Sequence, residues 1–151
     1  MQIRGYTYSD EFVKEVGKFA MLWNWFEKTY CLKDAIFDNI IKACGEINIG
    51  IREKEKLARV LNERREDMKL SIEDYINRAL YPSKRNKSTA KQYIVEYLKQ
   101  NESSVLNAGC LFTIQRIRNN LMHGEKDFMT LDTQIHIFKA ANDVLESIRQ
   151  I

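Results

Sequence analysis

The run Ile117-Arg118-Asn119-Asn120-Leu121-Met122-His123-Gly124 holds the residues of this chain best suited to chemistry. Arg118 stands five residues ahead of His123, one of only two histidines in 151 residues. A guanidinium is a permanently charged donor fork that matches phosphate oxygens, and imidazole titrates nearest neutral pH. Together they supply charge stabilisation and proton transfer, a minimal kit for cleaving a phosphodiester without metal. His136 is a contrast, since Thr130, Leu131 and Asp132 ahead of it offer no arginine. Leu111, Ile114, Ile117 and Leu121 recur at helical spacing, with Phe112 and Met122 widening the stripe, so the run closes an amphipathic helix. Gly124 is a suitable stop, because the left-handed position after a helix favours glycine.

The same residues also have a purely architectural reading. A histidine in a last helical turn followed by glycine is a common cap, Arg118 can pair with an acid on the surface, and Asn119 and Asn120 can be polar filler.

An Arg-Asn-x-x-x-His run closing a late helix and followed by Gly resembles the signature of the HEPN superfamily, all-α domains that process nucleic acids. Arg118, Asn119 and His123 fill its positions one for one. The segment Phe19-Ala20-Met21-Leu22-Trp23-Asn24-Trp25-Phe26-Glu27 is similar to the aromatic first helix of bacterial and prophage members. The resemblance covers roughly the first thirty residues and positions 105 to 125. It implies a helical bundle of the HEPN type with extra helices mid-chain, and an endoribonuclease acting as a homodimer, often a toxin–antitoxin or phage-defence effector. In that reading His123 transfers the proton, Arg118 clamps the non-bridging oxygens, and Asn119 orients the imidazole or binds phosphate. No cofactor or metal is implied, and an antitoxin protein is a possible partner. Some toxins of the superfamily carry a tyrosine three residues after the motif histidine; here that residue is Lys126.

A dimer has support apart from the resemblance. Such cleavage needs both a base and an acid, and the chain offers one motif histidine. Pairing two motif helices about a two-fold axis brings two His and two Arg into one cleft, and two-fold dimers are the commonest oligomers. The dipole at a helix C-terminus favours imidazolium, which suits the acid role.

The positioning elements read as helices almost throughout. Ser9, followed by Asp10 and Glu11, caps a long first helix whose stripe runs Phe12, Val16, Phe19, Trp23, Phe26, Tyr30. The stripe reads as core or dimer interface, and Glu27 beside it as a solvated side chain. A second helix is expected from about Asp34 to Cys44 with Ile36, Phe37, Ile40 and Ile41 inward, then a turn over 45–50. Residues 51 to about 69 form a charged helix with a narrow stripe of Leu57, Val60, Leu61 and Met68. Ser71 caps a shorter helix ending before Tyr81-Pro82, and residues 82–88 read as loop. Helices from about Thr89 to Lys99, from Ser104 and from Asp132 complete the chain. The last has Ile135, Phe138, Ala141, Leu145 and Ile148 on its inner face and His136 off it.

The length suits one domain spanning 1–151, with 52–91 a basic helical insertion or extension. Six glycines, one proline and 30% charged residues suit helices. No apolar run is long enough to span a membrane, and the N-terminus has no signal-peptide core, so a cytoplasmic protein is expected. Cys31, Cys44 and Cys110 lack paired spacing and read as reduced, buried thiols. The net charge is +3, and the excess sits wholly in 52–91, which carries twelve basic and seven acidic side chains. Between Tyr75 and Val95 lie Arg78, Lys84, Arg85, Lys87 and Lys91 and no acid. Lys84, Arg85, Lys87, Lys91 and Arg116 are the candidate RNA-backbone contacts, which would make binding salt-sensitive. Two other readings stand beside the nuclease. One is a non-catalytic RNA- or nucleotide-binding module, and the other a helical dimerisation or protein-interaction domain.

Overall fold

The structure is a computed structural model and describes residues 1–3, 5–80, 87–100, 105–122 and 134–151. These form an all-α bundle with seven helices among the described residues, plus two short antiparallel strand pairs. The first pair joins β1 (Gln2–Ile3) to β2 (Tyr6–Thr7).

Helix α1 (Asp10–Tyr30) starts as its sequence requires, with Ser9 Oγ accepting from the Phe12 amide at 3.1 Å. Phe12, Phe19, Trp23 and Phe26 are buried, and Val16 and Tyr30 half-buried. The first part of this stripe meets α7 (Ile135–Ser147), where Phe138 packs edge-to-face with Phe12 and Phe19 at centroid distances of 5.8 and 5.5 Å. Ion pairs Lys139–Glu11 and Lys18–Glu146 line the rim of this contact. Beneath them, buried Asn142 donates to the carbonyl and the carboxylate of Glu15 at 3.0 and 2.9 Å.

Helix α2 (Phe37–Cys44) begins later than the expected Asp34. The turn before it is held instead by side chains: Asn39 donates to the carbonyls of Cys31 and Asp34 at 3.1 and 2.8 Å. Leu32 and Lys33 turn the chain there with φ of 52° and 69°. Ile36, expected inward, lies outside the helix and is 42% exposed, while Phe37 stacks on Phe112 at 5.0 Å. The expected turn over 45–50 contains β3 (Ile47–Asn48), paired with β4 (Arg149–Gln150) from the far end of the chain.

Helix α3 (Ile51–Asp67) packs on α7 and buries Leu57, Ala58 and Leu61, whereas Met68, expected on its stripe, is 38% exposed just past its end. Ser147 of α7 joins the two, accepting from the Gly50 amide at 3.0 Å. Ser71 caps α4 (Ile72–Ala79) as expected, accepting from Asp74 at 3.1 Å. Helix α5 (Lys87–Leu98) opens two residues before the expected Thr89. It lies tightly against α6 (Val105–Met122). Gly109 permits that approach, since a Cβ there would stand 2.3 Å from the Tyr93 carbonyl oxygen and 2.5 Å from Tyr97 Cβ. Side chains of the basic stretch 52–91, among them Leu57, Leu61, Tyr75, Ile76 and Leu80, belong to the same buried cluster as α1, α6 and α7.

Candidate functional site

Helix α6, expected from its sequence to be amphipathic, is buried on most of its sides. Leu111, Phe112, Ile114 and Ile117 are buried as expected, but so are Cys110, Thr113, Arg116 and Asn120 on its other sides. On its remaining side Gln115, Arg118 and Asn119 are half-buried, three polar side chains on one face of the helix.

Arg118 Nη1 donates to Asn119 Oδ1 at 3.0 Å. Among the described residues no carboxylate lies within ion-pair distance of Arg118. Arginine has only donors, so this contact must use the amide oxygen of Asn119, leaving that side chain its NH₂ donor for an incoming anion or base. The pair thus presents donors alone, which suits a phosphate.

Neighbouring contacts fix this end of the helix. Gln115 Nε2 donates to the carbonyl of Ala35, and Glu27 Oε2 accepts from the Ala35 amide at 3.2 Å. Glu27, expected to be solvated, is half-buried and is a strut between α1 and the turn before α2. Asn120, read from sequence as possible filler, is 4% exposed and donates to the Ala79 carbonyl at 2.6 Å. That bond satisfies an orphan carbonyl at the end of α4 and tethers the motif helix to it. Sequence carried no separate signal for this, because Asn120 shares its side of the helix with Thr113 and Arg116.

The remaining expected site residues fall in three groups. His123 and Gly124 lie outside the described residues, as do Lys84 and Arg85, and Lys87 opens α5 with its side chain outside them. Lys91 is described, and its ammonium pairs with Glu73 Oε1 at 2.9 Å. Its charge thus joins α5 to α4, and it holds the Glu73 carboxyl below its ordinary pKa. Arg116 is 7% exposed and lies inside the packed body, so it does not offer RNA the open cationic surface expected of it. His136 is exposed off the inner face of α7, as expected, at the rim of a groove with Lys56, Glu63, Arg64 and Asp67 of α3.

The three thiols are free, Cys31 and Cys110 buried and Cys44 half-buried. Burial pushes Cys31 and Cys110 up to about 12 and Cys44 up to about 11, which leaves them unreactive at neutral pH. No helix among the described residues is long and apolar enough to cross a membrane. Comparison with models of known families, with characterised proteins and with solved structures finds no match to this chain.

Proposed function

We propose that this chain is a metal-independent endoribonuclease of the HEPN type. The observation that carries the reading is the Arg118–Asn119 pair, half-exposed at the end of a largely buried helix, with donors unopposed by any described carboxylate and His123 following in the sequence. In the reaction the 2′-oxygen attacks the adjacent phosphorus and the bond from phosphorus to the 5′-oxygen breaks. His123 takes the 2′ proton, and the His123 of a second copy gives a proton to the leaving 5′-oxygen. Arg118 stabilises the charge that gathers on the non-bridging oxygens, where a bidentate fork is more effective than an ammonium. The products are a 2′,3′-cyclic phosphate, or its hydrolysed form, and a 5′-hydroxyl. The protein acts as a homodimer in the cytoplasm, with Lys84, Arg85 and Lys87 on the RNA backbone, as a toxin or phage-defence effector restrained by an antitoxin protein.

Cleavage of RNA in chelator by the wild type, lost in His123→Ala, supports this reading; equal cleavage by both sinks it. One observation favours a second reading, a helical dimerisation domain: α1 exposes Met21 and Trp25 at 75% and 40% on the face opposite the core.

A further inference from the structure

A cavity of about 300 Å³ opens where α3, the end of α5 and the start of α6 meet. That is the share of about ten water molecules, at the lower end of the range for small-molecule sites. Its inner walls are apolar, formed by Ala58, Leu106 and the ring of Tyr97, with Ala58 and Tyr97 buried. Ile51, Glu55 and Gln100 are exposed and make its rim. Ile51 is 69% exposed there, apolar surface that an occupant of the cavity would help to cover.

One wall carries a charge. Lys54 is half-buried, and its ammonium donates to Asn107 Oδ1. Among the described residues no carboxylate lies within ion-pair distance of it. An ammonium has three donors, so two remain for a ligand. Burial raises the thiols of Cys44 and Cys110, and the Lys54 charge acts against that rise, which places the ammonium toward the interior of the bundle. A charge drawn out of water without a counter-charge is costly to keep, and an anion beside it relieves that cost. The cavity is also preformed. Tyr97 donates its hydroxyl to the Lys54 carbonyl at 2.6 Å, which fixes this turn of α3 against α5.

We propose that this cavity binds a small amphipathic monocarboxylate. Its apolar body lies against Ala58, Leu106 and Tyr97, and its carboxylate takes the free donors of Lys54. Glu55 at the rim limits the charge, because its carboxylate repels a polyanion such as a nucleotide more than it repels a single carboxylate. Neither Arg118 nor Asn119 lines the cavity, and the site stands whether or not the chain cleaves RNA.

The test is titration of the isotopically labelled full chain with octanoate, octanol and acetate, followed by nuclear magnetic resonance. Octanoate should move the amide signals of Ala58, Tyr97 and Leu106. It should bind about tenfold or more tighter than octanol, the margin expected for hydrogen bonds to a charged group. Acetate has the charge without the apolar body, and at the same concentration it should leave those signals in place. Lys54→Met should cut octanoate affinity to that of octanol or below; it keeps the stem and the Tyr97 contact, which is to the backbone. Leu106→Trp should fill the cavity and abolish binding of both, with a melting curve to show that the variant is folded. Octanoate and octanol bound alike, or no shifts at these residues, overturn the proposal. So does a Lys54→Met variant that binds octanoate as the wild type does. The wild-type comparison of octanoate with octanol needs no variant, so it decides the matter even where a variant fails to fold.

Discussion

At the residue scale, two adjacent side chains of α6 divide the labour. Arg118 holds the charge, and Asn119 orients the guanidinium through its amide oxygen. Arg118→Lys keeps the charge but loses the fork, so single-turnover cleavage should fall by about 10²-fold, the usual scale for losing one preorganised donor to a developing oxyanion. Asn119→Asp should be worse for RNA binding than Asn119→Ala, because it sets a carboxylate on the arginine that the phosphate must displace; binding titrations of both variants check this order. The motif spacing singled out Arg118 and Asn119 but not their contact, since Asn119 was expected on the imidazole or the phosphate rather than on the guanidinium. The burial of Arg116 was not legible, because two arginines separated by one residue look alike in sequence and only the packing of α5 and α2 around α6 tells them apart.

At the element scale, the motif helix is useful only if its end is fixed. Asn120 tethers it to α4 and Gly109 lets α5 approach it. Asn120→Ala should lower stability by about 1–3 kcal/mol, the range for leaving a buried partner group unsatisfied, and the melting curve reads this directly. Gly109→Ala forces a methyl group against the Tyr93 carbonyl, and denaturant unfolding should show a loss of about 1–3 kcal/mol or more. Elements that announce themselves locally were readable in advance. Ser9 and Ser71 cap where expected, and the 3.6-residue periodicity of α1 and α7 places their inner faces correctly. What was not readable depends on distant partners: β3 exists because β4 arrives a hundred residues later, and the start of α2 is set by Asn39, Glu27 and Gln115 holding the turn before it.

At the scale of the whole molecule, the buried thiols and phenols link stability to pH on the alkaline side. Burial holds Cys31 and Cys110 at about 12, Cys44 at about 11 and Tyr75 at about 12, against ordinary values of 9.0 and 10.0, and it also raises Tyr97 well above its ordinary value. Their folded pKa values are raised, so above about pH 9 the unfolded chain binds fewer protons than the folded one and stability falls as pH rises. The contribution is complete below the unfolded values and is lost toward pH 12. Melting temperature should therefore decline from about pH 9 upward, and the thiols should resist alkylation at neutral pH until the protein unfolds. The central claim, that this bundle exists to hold Arg118 and His123 against RNA phosphate, is tested most directly by incubating RNA with the purified chain in chelator beside His123→Ala. Fragments ending in 2′,3′-cyclic phosphate, made by the wild type and absent with the variant, are the predicted result. No cleavage by the wild type, or the same cleavage by both, would contradict it.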